Sequence, residues 1–245
     1  MDKILIFDIK GPMAHFRKYY TNASSLSYGV PPRTVIAGLI AGLLGKPKDS
    51  YYDEFNSNNV KIGVSLISPY RKIMQTVNYY GSKTGNNSIM RYQVPLEILV
   101  PYLDELCFRI YFVSPEYAPS LAEKLISKRA IYNPYLGITE FLAELNFIAY
   151  EDVKYEPQII EADNYFEIRS CFKQNYLTDL DFKAKNCRYI VERMPVNFGA
   201  GRELKEFDNY IYDENCQAVR GKFKQEAIIY NLSYRGLSEN IIFME

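Results

Sequence analysis

The chain has 245 residues, with 29 Lys and Arg against 29 Asp and Glu, enough length to bury a large core without disulfides, which excludes a disordered tail or a stapled mini-protein. Its four cysteines, Cys107, Cys171, Cys187 and Cys216, form no C-x-x-C pair, and His15 is the single histidine; this argues against a zinc ribbon, excludes a multi-histidine metal site and points to a reducing compartment. Net charge is zero, yet residues 1–100 hold twelve Lys and Arg against six Asp and Glu, while the remainder holds seventeen against twenty-three, a polarity that signals a charged partner.

Residues 3–10 alternate with β-branched and aromatic content and read as a largely buried strand, stopped by Gly11-Pro12. The start of the chain, with acids at Asp2 and Asp8, does not read as a signal peptide. The longest apolar stretch, residues 35–44, is about half of what a bilayer span needs. The expectation is a cytoplasmic protein without membrane contact. Residues 13–30 keep neither helical nor strand period and read as a long loop with short ordered pieces, a kind of segment that is often functional.

Pro31-Pro32 opens a helix that Gly45 caps. Within it Gly38-x-x-x-Gly42 predicts close packing against a sheet. Residues 60–67 alternate as a second strand. Residues 70–80 and 88–99 then flank the polar run GSKTGNNS and predict a long protruding hairpin. Residues 106–113 read as a central strand, 118–129 as an amphipathic helix, 135–138 as a turn and 141–153 as mainly strand. The order strand, helix, strand, hairpin, strand, helix, strand fits an α+β, ferredoxin-like (RRM-like) β-α-β-β-α-β sheet with the hairpin inserted at about 68–105. Alternating runs at 165–172, 188–191, 210–212, 227–234 and 241–244 predict a strand-rich C-terminal extension. We place the division between domains 1–155 and 156–245.

The candidate chemistry lies in two windows without acids, between Asp8 and Asp49 and between Glu54 and Glu97. Arg17, Lys18, Arg33, Lys72, Lys83 and Arg91 could neutralise phosphates. Tyr19, Tyr20, Tyr28, Tyr79, Tyr80 and Tyr92 could stack unpaired bases, each worth roughly 1–3 kcal/mol. Thr21, Ser24, Ser25, Thr76 and Asn78 could bond phosphate or ribose hydroxyls. His15 reads first as a packed structural residue, then as an RNA contact, and last as a general acid or base. Asp179 and Asp181 read as a solvated face, and Gly199-Ala200-Gly201-Arg202 as an ordinary turn, since no Lys-Ser/Thr follows.

Lys10-Gly11-Pro12 with His15-Phe16-Arg17, Ser25-Leu26-Ser27-Tyr28 and Pro32-Arg33-Thr34 leading into a helix ending Leu44-Gly45 resembles the N-terminal signature of the CRISPR-associated Cas five family, type I-B branch. Gln93-Val94-Pro95-Leu96-Glu97-Ile98-Leu99 resembles the return strand of that family's thumb. Tyr135-Leu136-Gly137-Ile138-Thr139-Glu140-Phe141 and Glu192-Arg193-Met194-Pro195 resemble later family segments.

The resemblance implies a non-catalytic RAMP subunit of the Cascade surveillance complex that caps the 5′ handle of the crRNA. It also implies a thumb hairpin packed against a backbone subunit of the Cas seven family, a large subunit of the Cas eight family alongside, and target DNA met only through the complex. Carried over residue by residue, it puts Arg17, Lys18, Tyr19, Ser25, Tyr28 and Arg33 on the handle and Lys72, Thr76, Asn78, Arg91 and Gln93 on the thumb. No cofactor or metal is implied. One branch of the family cuts precursor crRNA with a Tyr-Lys-His mechanism, but Ala14 precedes His15 here and no Lys-His pair is present. A crRNA-processing endoribonuclease and a protein-interaction module without RNA contact stand as the alternatives.

Overall fold

Strand β1 (Ile4–Gly11) is apolar on both sides because both of its faces are covered. Leu5, Phe7 and Ile9 point into the main core, whereas Ile4 and Ile6 point into a second cluster on the opposite face. That split is the period-two alternation of a strand buried between two layers. The structure is a computed structural model that describes residues 3–21, 24–82, 89–150, 153–161, 164–182 and 186–245.

After β1 come the two-residue strands β2 (Phe16–Arg17) and β3 (Ser27–Tyr28), then helix α1 (Arg33–Leu44) and β4 (Lys61–Leu66). The hairpin β5 (Tyr70–Ser82) and β6 (Ile89–Pro101) leads to β7 (Leu106–Val113), helix α2 (Ala118–Ser127) and β8 (Glu144–Ala149). One sheet has the order β4-β7-β1-β8, every neighbouring pair antiparallel. Helix α1 thus connects β1 to β4 across β7, and α2 connects β7 to β8 across β1, two interlocked crossovers. Both helices contribute to the main core on one face of this sheet.

The other face of the sheet meets the C-terminal part of the chain. Its strands are β9 (Lys154–Pro157), β10 (Phe166–Ile168), β11 (Phe172–Lys173), β12 (Leu177–Leu180), β13 (Tyr189–Phe198), β14 (Leu204–Asp213), β15 (Val219–Phe223), β16 (Tyr230–Tyr234) and β17 (Leu237–Ile241). They form a six-stranded sheet, β12-β15-β10-β17-β16-β9, and a three-stranded one, β11-β14-β13. Leu232, Tyr234 and Ile241 close over Ile4, Ile6, Tyr111 and Val113. Asp8 lies directly opposite Arg109 on this face and takes its guanidinium at 2.8 Å. The fold is therefore mixed α/β, rich in strands and poor in helices, and the main core includes Met194, Val196, Tyr210 and Tyr212 from beyond residue 155.

Two local expectations change. The helix buries Ile36, Ala37, Ile40, Ala41 and Leu43 against the core, whereas Gly38 and Gly42 line an open groove with Tyr51, Tyr132 and Tyr135. A Cβ at Gly42 would meet nothing within 4 Å. The glycine stripe faces away from the sheet because the larger apolar residues gain more by burial. Second, residues 242–244 are not a strand. They are buried by packing, with single bonds from the Ile242 N–H to Ser170 Oγ (2.9 Å) and from the Met244 N–H to the Ile62 carbonyl (2.8 Å).

Candidate nucleic-acid interface

The segment 14–28 is laid along the base of the hairpin by main-chain bonds. Ala14 and Leu99 exchange N–H to carbonyl bonds of 3.1 and 2.8 Å, and the Ser25 N–H reaches the Pro95 carbonyl at 2.9 Å. The Glu97 N–H returns a bond to the Ser25 carbonyl at 2.9 Å. The two acid-free windows of the sequence therefore meet in space.

His15 is the pin of this joint. It is only 2% exposed. Its Nδ1–H donates to the Glu97 carbonyl at 2.7 Å, and its Nε2 accepts from the Ser25 hydroxyl at 3.0 Å. Burial pulls its pKa below the usual 6.5, against the opposing pull of the Glu97 bond, so the ring is neutral at neutral pH. The structural role is the one the geometry supports, because both ring nitrogens already have partners.

Two carboxylates from outside the windows neutralise part of their charge. Glu192 on β13 is buried; its Oε1 takes the Lys18 ammonium at 2.7 Å, and its Oε2 accepts the Gly29 N–H at 2.9 Å and the Tyr212 hydroxyl at 3.1 Å. Burial opposes the Lys18 charge, but Glu192 outweighs it and raises the lysine pKa. Glu97 accepts the Ser27 N–H at 2.8 Å and lies 3.5 Å from the Lys72 ammonium, which also donates to the Ser27 carbonyl at 2.9 Å. Gly29 is obligatory here, since a Cβ would sit 1.8 Å from the Tyr70 hydroxyl and 2.1 Å from that of Tyr212.

Along the hairpin, directly opposed residues share a face. The register pairs Lys72 with Leu99, Met74 with Glu97, Thr76 with Pro95, Asn78 with Gln93 and Tyr80 with Arg91. Strand alternation thus puts Lys72, Thr76, Asn78, Tyr80, Arg91 and Gln93 on one face, with Tyr79 on the other. All seven are exposed. The Arg91 guanidinium lies 5.5 Å from the Tyr80 ring centre, so cation and ring form a pair in solvent. Lys83 lies outside the described residues.

The N-terminal candidates divide. Arg17 is exposed, its guanidinium donating to the Thr21 carbonyl at 3.3 Å, and Tyr20 is 49% exposed. Tyr19 is half-buried, edge-on to Tyr20 at 5.2 Å. Thr21 caps the turn through a 2.9 Å bond to the Lys18 carbonyl, and the Ser25 hydroxyl is committed to His15.

Tyr28 and Arg33 are corrections, since they lie inside the protein. The Tyr28 hydroxyl donates to the Arg193 carbonyl at 2.8 Å. Arg33 is 1% exposed and donates to the carbonyls of Phe55 (2.9 Å), Val60 (2.8 Å) and Val196 (3.3 Å). Burial pulls its pKa down to about 10, which leaves it charged at neutral pH. Its fork satisfies carbonyls where α1 meets β13, a structural task that a cation in a signature motif does not announce. Conversely, Glu97, Glu192 and Arg193 lie within sequence motifs that signal no role for them, and Phe207 lies in no motif at all. Among the described residues no group of three or more His, Cys, Asp or Glu could hold a metal ion, and no helix is long and apolar enough to cross a membrane.

Residues 4–102, from β1 through the hairpin, match the family model described as CRISPR-associated protein (Cas_Cas5). The search of curated proteins finds no match. In fold the chain is similar to a chain of a CRISPR RNA-guided surveillance complex, at 14% identity and TM-score 0.51, covering 90% of this chain and 91% of that one. A chain of the type III-B Cmr-beta complex bound to cognate target RNA and AMPPnP is similar at 13% identity and TM-score 0.52, covering 89% and 86%. A CRISPR protein from Archaeoglobus fulgidus is similar at 13% identity and TM-score 0.56, covering 99% and 100%.

Proposed function

We propose that this chain, which carries the CRISPR-associated protein (Cas_Cas5) signature over β1 through β6, is a non-catalytic crRNA-binding subunit of a type I-B CRISPR surveillance complex. In this reading the first sheet is ferredoxin-like, the hairpin is a thumb, and the polar face of that thumb holds the 5′ handle of the crRNA in the cytoplasm. A backbone subunit of the Cas seven family and a large subunit of the Cas eight family would pack beside it. Target DNA would be met through the complex.

The observation that carries the reading is the single hairpin face bearing Lys72, Thr76, Asn78, Tyr80, Arg91 and Gln93, stitched to Arg17 and Tyr20 through the His15 and Ser25 joint. Cations, amides and exposed rings interleaved on an open face form a tract suited to a single-stranded phosphate backbone. No base-specific contact is needed for such binding, so the affinity would be steeply salt-dependent.

The test is purification of the assembled complex with Arg17→Glu and Arg91→Glu together, followed by sequencing of the bound RNA. Wild type is expected to carry RNAs that begin with a repeat-derived handle, and the double variant to lose them. Retention of the same RNA by the variant overturns the site. In a second arm, repeat RNA stays intact with the full-length chain; cleavage that depends on His15 overturns the non-catalytic reading.

A further inference from the structure

The exposed face of β13 and β14 holds an arginine that no carboxylate meets among the described residues. The guanidinium carbon of Arg193 lies over Phe207, 3.6 Å from the ring centre. The ring is 45% exposed and has Tyr19 on its flank, 6.5 Å away and tilted by 33°. Register explains the stack: Arg193 opposes Asn209 and Pro195 opposes Phe207, so the two side chains are diagonal neighbours on one face. The acids beside them, Glu192 and Asp208, fall at alternate positions and are engaged by Lys18 and Lys173. Arg193 itself is exposed and, apart from the ring, makes no side-chain hydrogen bond or ion pair among the described residues.

A guanidinium held against a ring keeps its second face and its edge open. It is weakly hydrated for a cation, so an incoming π surface strips little water from it. Backing by Phe207 has already restricted its rotamers, which reduces the ordering cost on binding. Nucleobases are the flat groups that RNA-binding proteins place on such planes.

We propose that the outer plane of Arg193, backed by Phe207 and Tyr19, seats one unpaired base of single-stranded RNA. This extends the RNA path from the hairpin face, past Tyr20, onto the C-terminal part of the chain, and it rests on the RNA-binding reading above. The link is made by the Lys18 to Glu192 ion pair and the bond from the Tyr28 hydroxyl to the Arg193 carbonyl, which dock Lys18 and Tyr28 on β13.

The experiment measures binding of fluorescein-labelled oligoadenylate and oligouridylate to the full-length chain across a salt series. Arg193→Lys keeps the charge and removes the plane; Phe207→Leu keeps the bulk and removes the ring. Each is expected to weaken oligoadenylate about tenfold, in line with the worth of a single stack, with an unchanged salt slope and a reduced preference for adenine over uracil. Matched thermal unfolding of both variants confirms that the fold is kept. Wild-type affinity and preference in Arg193→Lys would overturn the proposal alone and leave the guanidinium for an acidic protein segment. Absence of RNA binding by the wild type at every salt concentration would overturn the RNA reading itself.

Discussion

The hairpin as far as Leu96 and the segment 14–28 look alike in sequence, both basic, rich in tyrosine and free of acids, yet they meet opposite fates. On the hairpin Arg91, Asn78 and Gln93 stay exposed, because a two-stranded sheet carries no second layer on that face. In the segment 14–28 the chain is pressed between β6 and β13, so Lys18 meets Glu192 and the Tyr28 hydroxyl is taken by a carbonyl. An acid-free window therefore reports local composition only. The field that a ligand meets is set by whichever carboxylates the fold carries in: Lys18 and the hairpin's Lys72 are met by Glu192 and Glu97, whereas Arg17 and Arg91 stay exposed without an ion pair among the described residues.

Three changes would break or sharpen that contrast. The largest effect is expected from Glu192→Ala, which strands a largely buried lysine together with the Gly29 N–H. Loss of about 3 kcal/mol in urea unfolding is expected, and a midpoint equal to wild type would show that the segment is not held by this carboxylate. Next, Arg91→Ala on the hairpin should leave stability within about 0.5 kcal/mol. It should weaken RNA binding about fivefold, on the order of 1 kcal/mol, with a shallower salt dependence. An equal loss of stability and affinity would erase the difference between the two regions.

The smallest effect concerns pH. His15 has a folded pKa below its unfolded 6.5, so the unfolded chain binds the proton first. Stability is then fully present above 6.5 and declines as pH falls below it. Comparing unfolding midpoints of wild type and His15→Gln from pH 7.5 to 5 should show this component vanish in the variant. A pH profile shared by both would assign the slope to other groups.

The first sheet was legible because its strands alternate strongly. Residues 3–10 and 106–113 read as strands, and the strands lie at Ile4–Gly11 and Leu106–Val113. Helix α1 announced itself through Pro32 and Gly45, whose φ of 80° is the left-handed cap that glycine accepts freely. The C-terminal part was harder to read. Val219–Phe223 alternates buried and exposed residues, but Gly221 interrupts its strand signal, and Leu177–Leu180 is too short to carry one. At the candidate interface the sequence pattern places Lys72, Thr76, Asn78, Arg91 and Gln93 on a hairpin, and the structure leaves all five exposed. The buried brace formed by Arg33 is not legible, since a guanidinium that satisfies carbonyls and one that binds phosphate look the same in a sequence.

Sequence alone determined where the chain alternates, where it turns and which stretches lack acids, because those properties depend on neighbours a few positions away. Tertiary structure alone decided which cations stay unpaired. It brought Glu192 against Lys18 and Glu97 against Lys72, and it stacked Arg193 on Phe207 near Tyr19. Charge and burial act through distance in space, and residues as far apart in the chain as Lys18 and Glu192, or Tyr19 and Phe207, acquire that distance only when the sheets close on one another.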